Sequence, residues 1–225
     1  RSVAHIVQDQ GGPEFASVDG RVLESVARQA GVSARELEHS ELARLSQSSY
    51  WHFASHGSFD AENPFQSGLQ LSDNRVLTVL ELQRLASQSA PPRLVFLSAC
   101  ETALIDLKAP GDDFIGFPGA LLGASATGFI GSLWPVDDIA ATLISAQFYR
   151  LHFLEGLRPS EALRSAQLWL RSASNTELLE FVQTVLGLSV SEEERIALED
   201  RILELDVQAP FAHPVFWGGW VLYGQ

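Results

Sequence analysis

The sequence contains no methionine, one cysteine, and only 15 Lys and Arg against 28 Asp and Glu. Each shortage excludes something. Without methionine the 225 residues carry no start codon of their own, so the chain is expected to be a piece of a longer protein. One cysteine rules out an internal disulfide framework and a multi-cysteine zinc site. It leaves either a small buried hydrophobe or a reactive thiol in a reducing compartment. A formal net charge of −13 argues against nucleic-acid binding, which needs a basic surface to displace counterions from phosphates. The opening "RSVAHIVQDQ" lacks the apolar core of a secretory signal, and with the lone thiol this points to a cytoplasmic location.

Charge is also missing from Phe114 to Val136, a stretch long enough to cross a bilayer. Pro118 and Gly116, Gly119, Gly123, Gly128 and Gly131 break it repeatedly, and Asp112, Asp113, Asp137 and Asp138 bracket it. A core helix, a turn and a buried strand explain the run better than a membrane span.

What is present is a composition of 46% apolar and 19% charged residues, that of a globular protein with a substantial core, read as one domain over 1–225. Strands are expected at 3–7, 50–55, 68–72, 93–100, 127–134 and 213–224. Helices are expected at 21–31, 33–47, 77–85, 137–156 and 159–173, and near 113–124. Gly31 would stop the first of these, and Ser33 with Glu36 three residues on has the spacing of a capping box for the second. Two polar–apolar helices at about 175–186 and 191–205 read as a helical insertion within 175–205. Strands separated by helices argue for an α/β fold with a largely parallel sheet covered on both faces.

In such a sheet, sites gather at the carboxyl ends of strands. "YWHFAS" runs out at His56 and "RLVFLSA" at Cys100, and the short helix between them suggests that the two strands are neighbours. A thiol of ordinary pKa is mostly protonated at neutral pH, and a nearby imidazole can take its proton and later hand it to a leaving amine. Gly57, without a side chain, lets a substrate carbonyl approach the backbone, and its N–H could stabilise an oxyanion beside the N–H of Cys100. Against this stands the ordinary reading of Cys100 as a core thiol. A zinc site of His52, His56 and Cys100 has thin support, with no further cysteine and no orienting carboxylate in view.

At these residues the sequence resembles a known family. "HFASHGSFDAENPFQSGLQL", "LVFLSACETA", "GDDFIGFPGALLGASATGFIGSLWPVDD" and "PFAHPVFWGGWVLYG" are similar to the CHAT domain, a caspase-related module of cysteine peptidases often found behind tetratricopeptide repeats. The resemblance runs from about Tyr50 to Gly156 and returns at 209–224. It implies a caspase-like three-layer sandwich, a His56–Cys100 dyad, oxyanion donors at Gly57 and Cys100, and neither metal nor other cofactor. It also implies a protein substrate, a signalling role, and a regulatory region elsewhere in the full-length chain, tetratricopeptide repeats among the candidates. "LWPVDD" is similar to a separase stretch, so Trp134, Asp137 and Asp138, with Asp112, are candidates for shaping the pocket before the scissile bond. An acidic pocket would suit Arg or Lys. Thr142, however, stands near the place where separase carries its arginine-binding aspartate, and helix N-capping explains Asp137 and Asp138 equally well. The expected function is that of a cysteine endopeptidase. The alternative is a catalytically silent caspase-fold interaction module in a signalling or defence scaffold.

Overall fold

A computed structural model describes the chain except residues 9, 59, 61, 89, 99–101, 103–115, 188, 206–207 and 225. Its strands, in chain order, are β1 (Ser2–Val7), β2 (Ser33–Glu36), β3 (Tyr50–Ala54), β4 (Gly57–Ser58), β5 (Gly68–Gln70), β6 (Val76–Thr78), β7 (Leu94–Ser98), β8 (Gly128–Ser132) and β9 (Trp220–Gly224). Six of them form the central sheet in the order β2-β1-β3-β7-β8-β9, while β4-β5-β6 make a small separate sheet. All central pairs are parallel except β8 with β9.

The helices are α1 (Ala16–Gln29), α2 (Val79–Ser87), α3 (Phe117–Gly123), α4 (Asp138–Tyr149), α5 (Pro159–Ser172), α6 (Asn175–Phe181), α7 (Glu192–Glu204) and α8 (Pro214–Trp217). The two sheet faces are filled by alternate residues, as the pleat requires. Tyr50, Leu94 and Phe96 pack with α1, α4 and α5 on one side, while Trp51, Phe53, Val95 and Leu97 pack with α2 and α3 on the other. Each large side chain so enclosed stabilises the fold by roughly 1.5–3 kcal/mol of transfer free energy. The expected three-layer arrangement is therefore present. The charge-free run resolves, from residue 116 on, into α3 and β8, and no helix among the described residues is long and apolar enough to cross a membrane.

Two local expectations are corrected. Residues 33–47 are not one helix: 33–36 form the edge strand β2, and a 3-10 helix covers His39–Gln47. Gly31, at φ +68°, turns the chain back after α1, and the ladder to β1 then outcompetes the local Ser33–Glu36 capping pattern. Residues 213–224 are not one strand either. The Nδ1 of His213 accepts the N–H of Val215 at 3.2 Å and Pro214 fills the first helical position, so α8 precedes β9. Within 175–205, helical segments at Asn175–Phe181, Val182–Leu186 and Glu192–Glu204 feed Leu178, Val182, Leu186, Leu198 and Ile202 into the same core as α1 and α4.

Candidate active site

β3 and β7 are adjacent and parallel, with Ala54 opposite Ser98. In sequence His56 follows Ala54 by two residues, as Cys100 follows Ser98, and the register ends β3 and β7 at the same level. The ladder continues one step past the strands, with the N–H of Ser55 donating to the Ser98 carbonyl at 3.3 Å. Cys100 and Asp112 lie outside the described residues.

His56 is exposed at the strand end, and its backbone is held on two sides. Its N–H donates to Oε1 of the buried Gln8 at 2.9 Å, and its carbonyl accepts the N–H of Gln70 at 2.8 Å. Gln8 is itself fixed by its own N–H, which donates to the Ala54 carbonyl at 2.9 Å. Antiparallel ladders alternate bonded and non-bonded pairs, and the 56/70 bond makes Gly57, opposite Leu69, the non-bonded position. The Gly57 N–H therefore faces away from β5.

Beside His56 lies a cavity of about 60 Å³. Phe15, Val136, Ala141 and Trp220 supply apolar walls, and Ser55, Ser98, Thr142, Asp138 and Asp19 supply polar atoms. Asp19 is the notable one, a carboxylate only 3% exposed. The Ser145 hydroxyl donates to its Oδ1, and His52 Nε2 lies 3.3 Å from Oδ2 without the alignment of a hydrogen bond. On its other side His52 Nδ1 shares a 3.1 Å hydrogen bond with the Tyr149 hydroxyl. Burial first, and then the charge of Asp19, pushes the Tyr149 phenol well above its usual range, so it stays a neutral hydroxyl. Ser55 and Trp220 line the cavity, and each carries a buried polar atom, Oγ and Nε1, with no hydrogen-bond partner among the described residues.

The proposed pocket residues take separate places. Asp138 lines the cavity, and its Oδ2 accepts the N–H of Glu14 at 3.0 Å, which ties the loop after β1 to the start of α4. Asp137 caps α4 by accepting the N–H groups of Ile139 and Ala140, each at 3.1 Å. Trp134 is not among the residues lining the cavity. Its Nε1 donates to the Val215 carbonyl at 2.8 Å. Asp19, Ser55 and Gln8 were not singled out from the sequence. An acid inside an amphipathic helix and polar residues flanking strands carry no local signal of a cavity.

The family model of the CHAT domain matches residues 7–225. Comparison with curated proteins finds no match. Among solved structures, the Arg-specific cysteine proteinase gingipain R (RgpB) is similar at 12% identity and a TM-score of 0.52, covering 100% of this chain and 46% of that one. The complex of pro- and mature domains of Porphyromonas gingivalis RgpB is similar at 11% identity and a TM-score of 0.51, covering 100% of this chain and 47% of that one. This chain thus spans about half the length of those neighbours. At such identities the likeness is one of fold, the caspase-like α/β arrangement.

Proposed function

We propose that this chain, which belongs to the CHAT-domain family, is a caspase-like cysteine endopeptidase with Cys100 as nucleophile and His56 as its base and then its acid. The sulfur attacks a peptide carbonyl as His56 accepts the thiol proton. Collapse of the tetrahedral intermediate passes that proton to the leaving amine, and water then releases the acyl group from the sulfur. The Gly57 N–H, facing away from β5, is assigned to the oxyanion, with the N–H of Cys100 beside it. The observation that supports this reading is the Ala54–Ser98 register, which ends two adjacent strands in step beside a cavity lined by His56, Ser55 and Ser98.

The cavity chemistry suits a basic side chain before the scissile bond. Apolar walls would take an aliphatic stem, and the buried Asp19 carboxylate would meet a cation at its tip. Asp19 thus supplies from α1 the charge that Thr142 does not supply from α4. The regulatory region expected from the family would set when the cleft is open to a protein target.

A peptide acyloxymethyl ketone tests the dyad. It is expected to label Cys100 stoichiometrically, and Cys100→Ala is expected to lower peptide cleavage by on the order of 10⁴-fold or more while the fold persists. Parent-like cleavage by Cys100→Ala, or labelling no faster than that of a free thiol in the parent, rejects the peptidase and leaves the interaction module.

A further inference from the structure

We propose that the cavity rimmed by Arg1, Arg93 and Arg158 binds the phosphate group of a small molecule. It lies at the opposite end of the sheet from His56, where Tyr50 begins β3, Arg93 precedes β7 and Thr127 precedes β8. Its volume is about 230 Å³, against about 60 Å³ for the cleft beside His56.

The charge there is opposite to that of the molecule. In a chain of net charge −13, three arginines line one cavity. Neither Arg1 nor Arg93 makes an ion pair or side-chain hydrogen bond among the described residues, whereas Arg158 pairs with Glu161 at 2.6 Å. The buried His152 at the same cavity senses the imbalance. Burial lowers its basicity first, the Leu157 carbonyl works the other way, and the charges of Arg1 and Arg93 oppose its protonation further. α5, a helix of 14 residues, opens on the cavity at Pro159 and adds the positive end of its dipole.

The backbone around the cavity is already fixed. The Arg93 N–H donates to the Ser49 carbonyl at 2.7 Å, and the Thr127 N–H donates to the Pro92 carbonyl at 3.1 Å. The turn that presents Arg158 is set by Gly156 at φ +74° and by the Leu157 carbonyl, which accepts from His152 Nδ1 at 2.6 Å. His152 Nε2 and the Tyr50 hydroxyl satisfy each other at 3.2 Å, so these two groups are taken and recognition falls chiefly to the arginines at the rim. Guanidinium groups hold phosphate oxygens in pairs of parallel hydrogen bonds, which suits them to a tetrahedral oxyanion better than to a neutral ligand.

Calorimetric titration of the 225-residue chain with inorganic phosphate, pyrophosphate and adenosine monophosphate at low ionic strength tests this. Saturable one-to-one binding of at least one of the three is expected, weakened about tenfold or more in the Arg93→Gln, Arg158→Gln double variant. Arg84→Gln, an exposed arginine of α2 away from the cavity, should leave the affinity unchanged. All three positions are exposed, and an unaltered circular dichroism spectrum confirms the fold. Arg93→Gln alone serves if the double variant does not fold, and should weaken binding in the same direction. Tighter binding of the nucleotide than of pyrophosphate identifies a nucleoside phosphate as the source, and the reverse order an inorganic one. Absence of saturable binding to all three probes overturns the proposal, as does equal loss in Arg84→Gln or none in the arginine variants.

Discussion

Asp19 shows what a single residue can and cannot disclose in sequence. Within α1 it is one acid in a first turn, where a negative charge suits the helix dipole and needs no further reason. Its neighbours in space are His52, 33 positions on, and Ser145, 126 positions on, and only packing brings them together. The strand end at His56 and Gly57, by contrast, could be read directly, because a buried strand that stops on a polar ring and a glycine is a local pattern. Asp19→Asn keeps the shape of the side chain and a hydrogen bond from Ser145 while removing the charge. The preference in kcat/KM for Arg or Lys over Leu before the scissile bond is expected to fall at least about tenfold, since a charge-assisted contact contributes more than a neutral one. Labelling of Cys100 by a ketone with an uncharged side chain should be unaffected. An unchanged preference in the variant would separate Asp19 from recognition without touching the dyad.

At the scale of elements, legibility followed whether local and long-range forces agreed. Thr78 caps α2 with Glu81 in a reciprocal box, and a short helix was expected there from its residue pattern. Ser33 and Glu36 have the same spacing and form a strand, because parallel pairing with β1 offers the backbone a full ladder. The closing segment was misread for a different reason. Its apolar residues look alike in strand and helix, and the glycine at the junction, Gly219, packs against Trp134. A Cβ on Gly219 would stand 2.8 Å from Cε2 of Trp134, an indole held in place by its bond to Val215. Gly219→Ala is therefore expected to destabilise the protein by about 1–3 kcal/mol, the usual cost of overpacking. Urea denaturation followed by tryptophan emission reads both that loss and the displaced ring. A variant as stable as the parent would mean that the ring can yield at no cost, contrary to its bonding.

For the whole molecule, the titrating groups define a window of pH in which the fold is most stable. His152 is held below its ordinary value of 6.5, so the unfolded chain takes up a proton first as pH falls. Its contribution is present above pH 6.5 and is lost as pH drops from there to the folded value. Glu24 is held below 4.5 chiefly by its hydrogen bond to His5. Burial pushes Glu194 up, but the Ser191 cap and Arg21 outweigh it and leave that carboxyl below 4.5 as well. Both contribute above pH 4.5 and cease to as pH falls through their folded values. On the alkaline side Tyr149 resists ionisation, so stability falls once pH exceeds 10.0, where the unfolded phenol ionises first. Unfolding free energies from urea titrations are expected to form a plateau between these limits, declining in two stages on the acid side. Arg93→Gln removes one of the charges that oppose protonation of His152, so it should shrink the first acid stage and leave the second intact. A first stage of the same size in that variant would show that the arginine rim does not act on the buried imidazole.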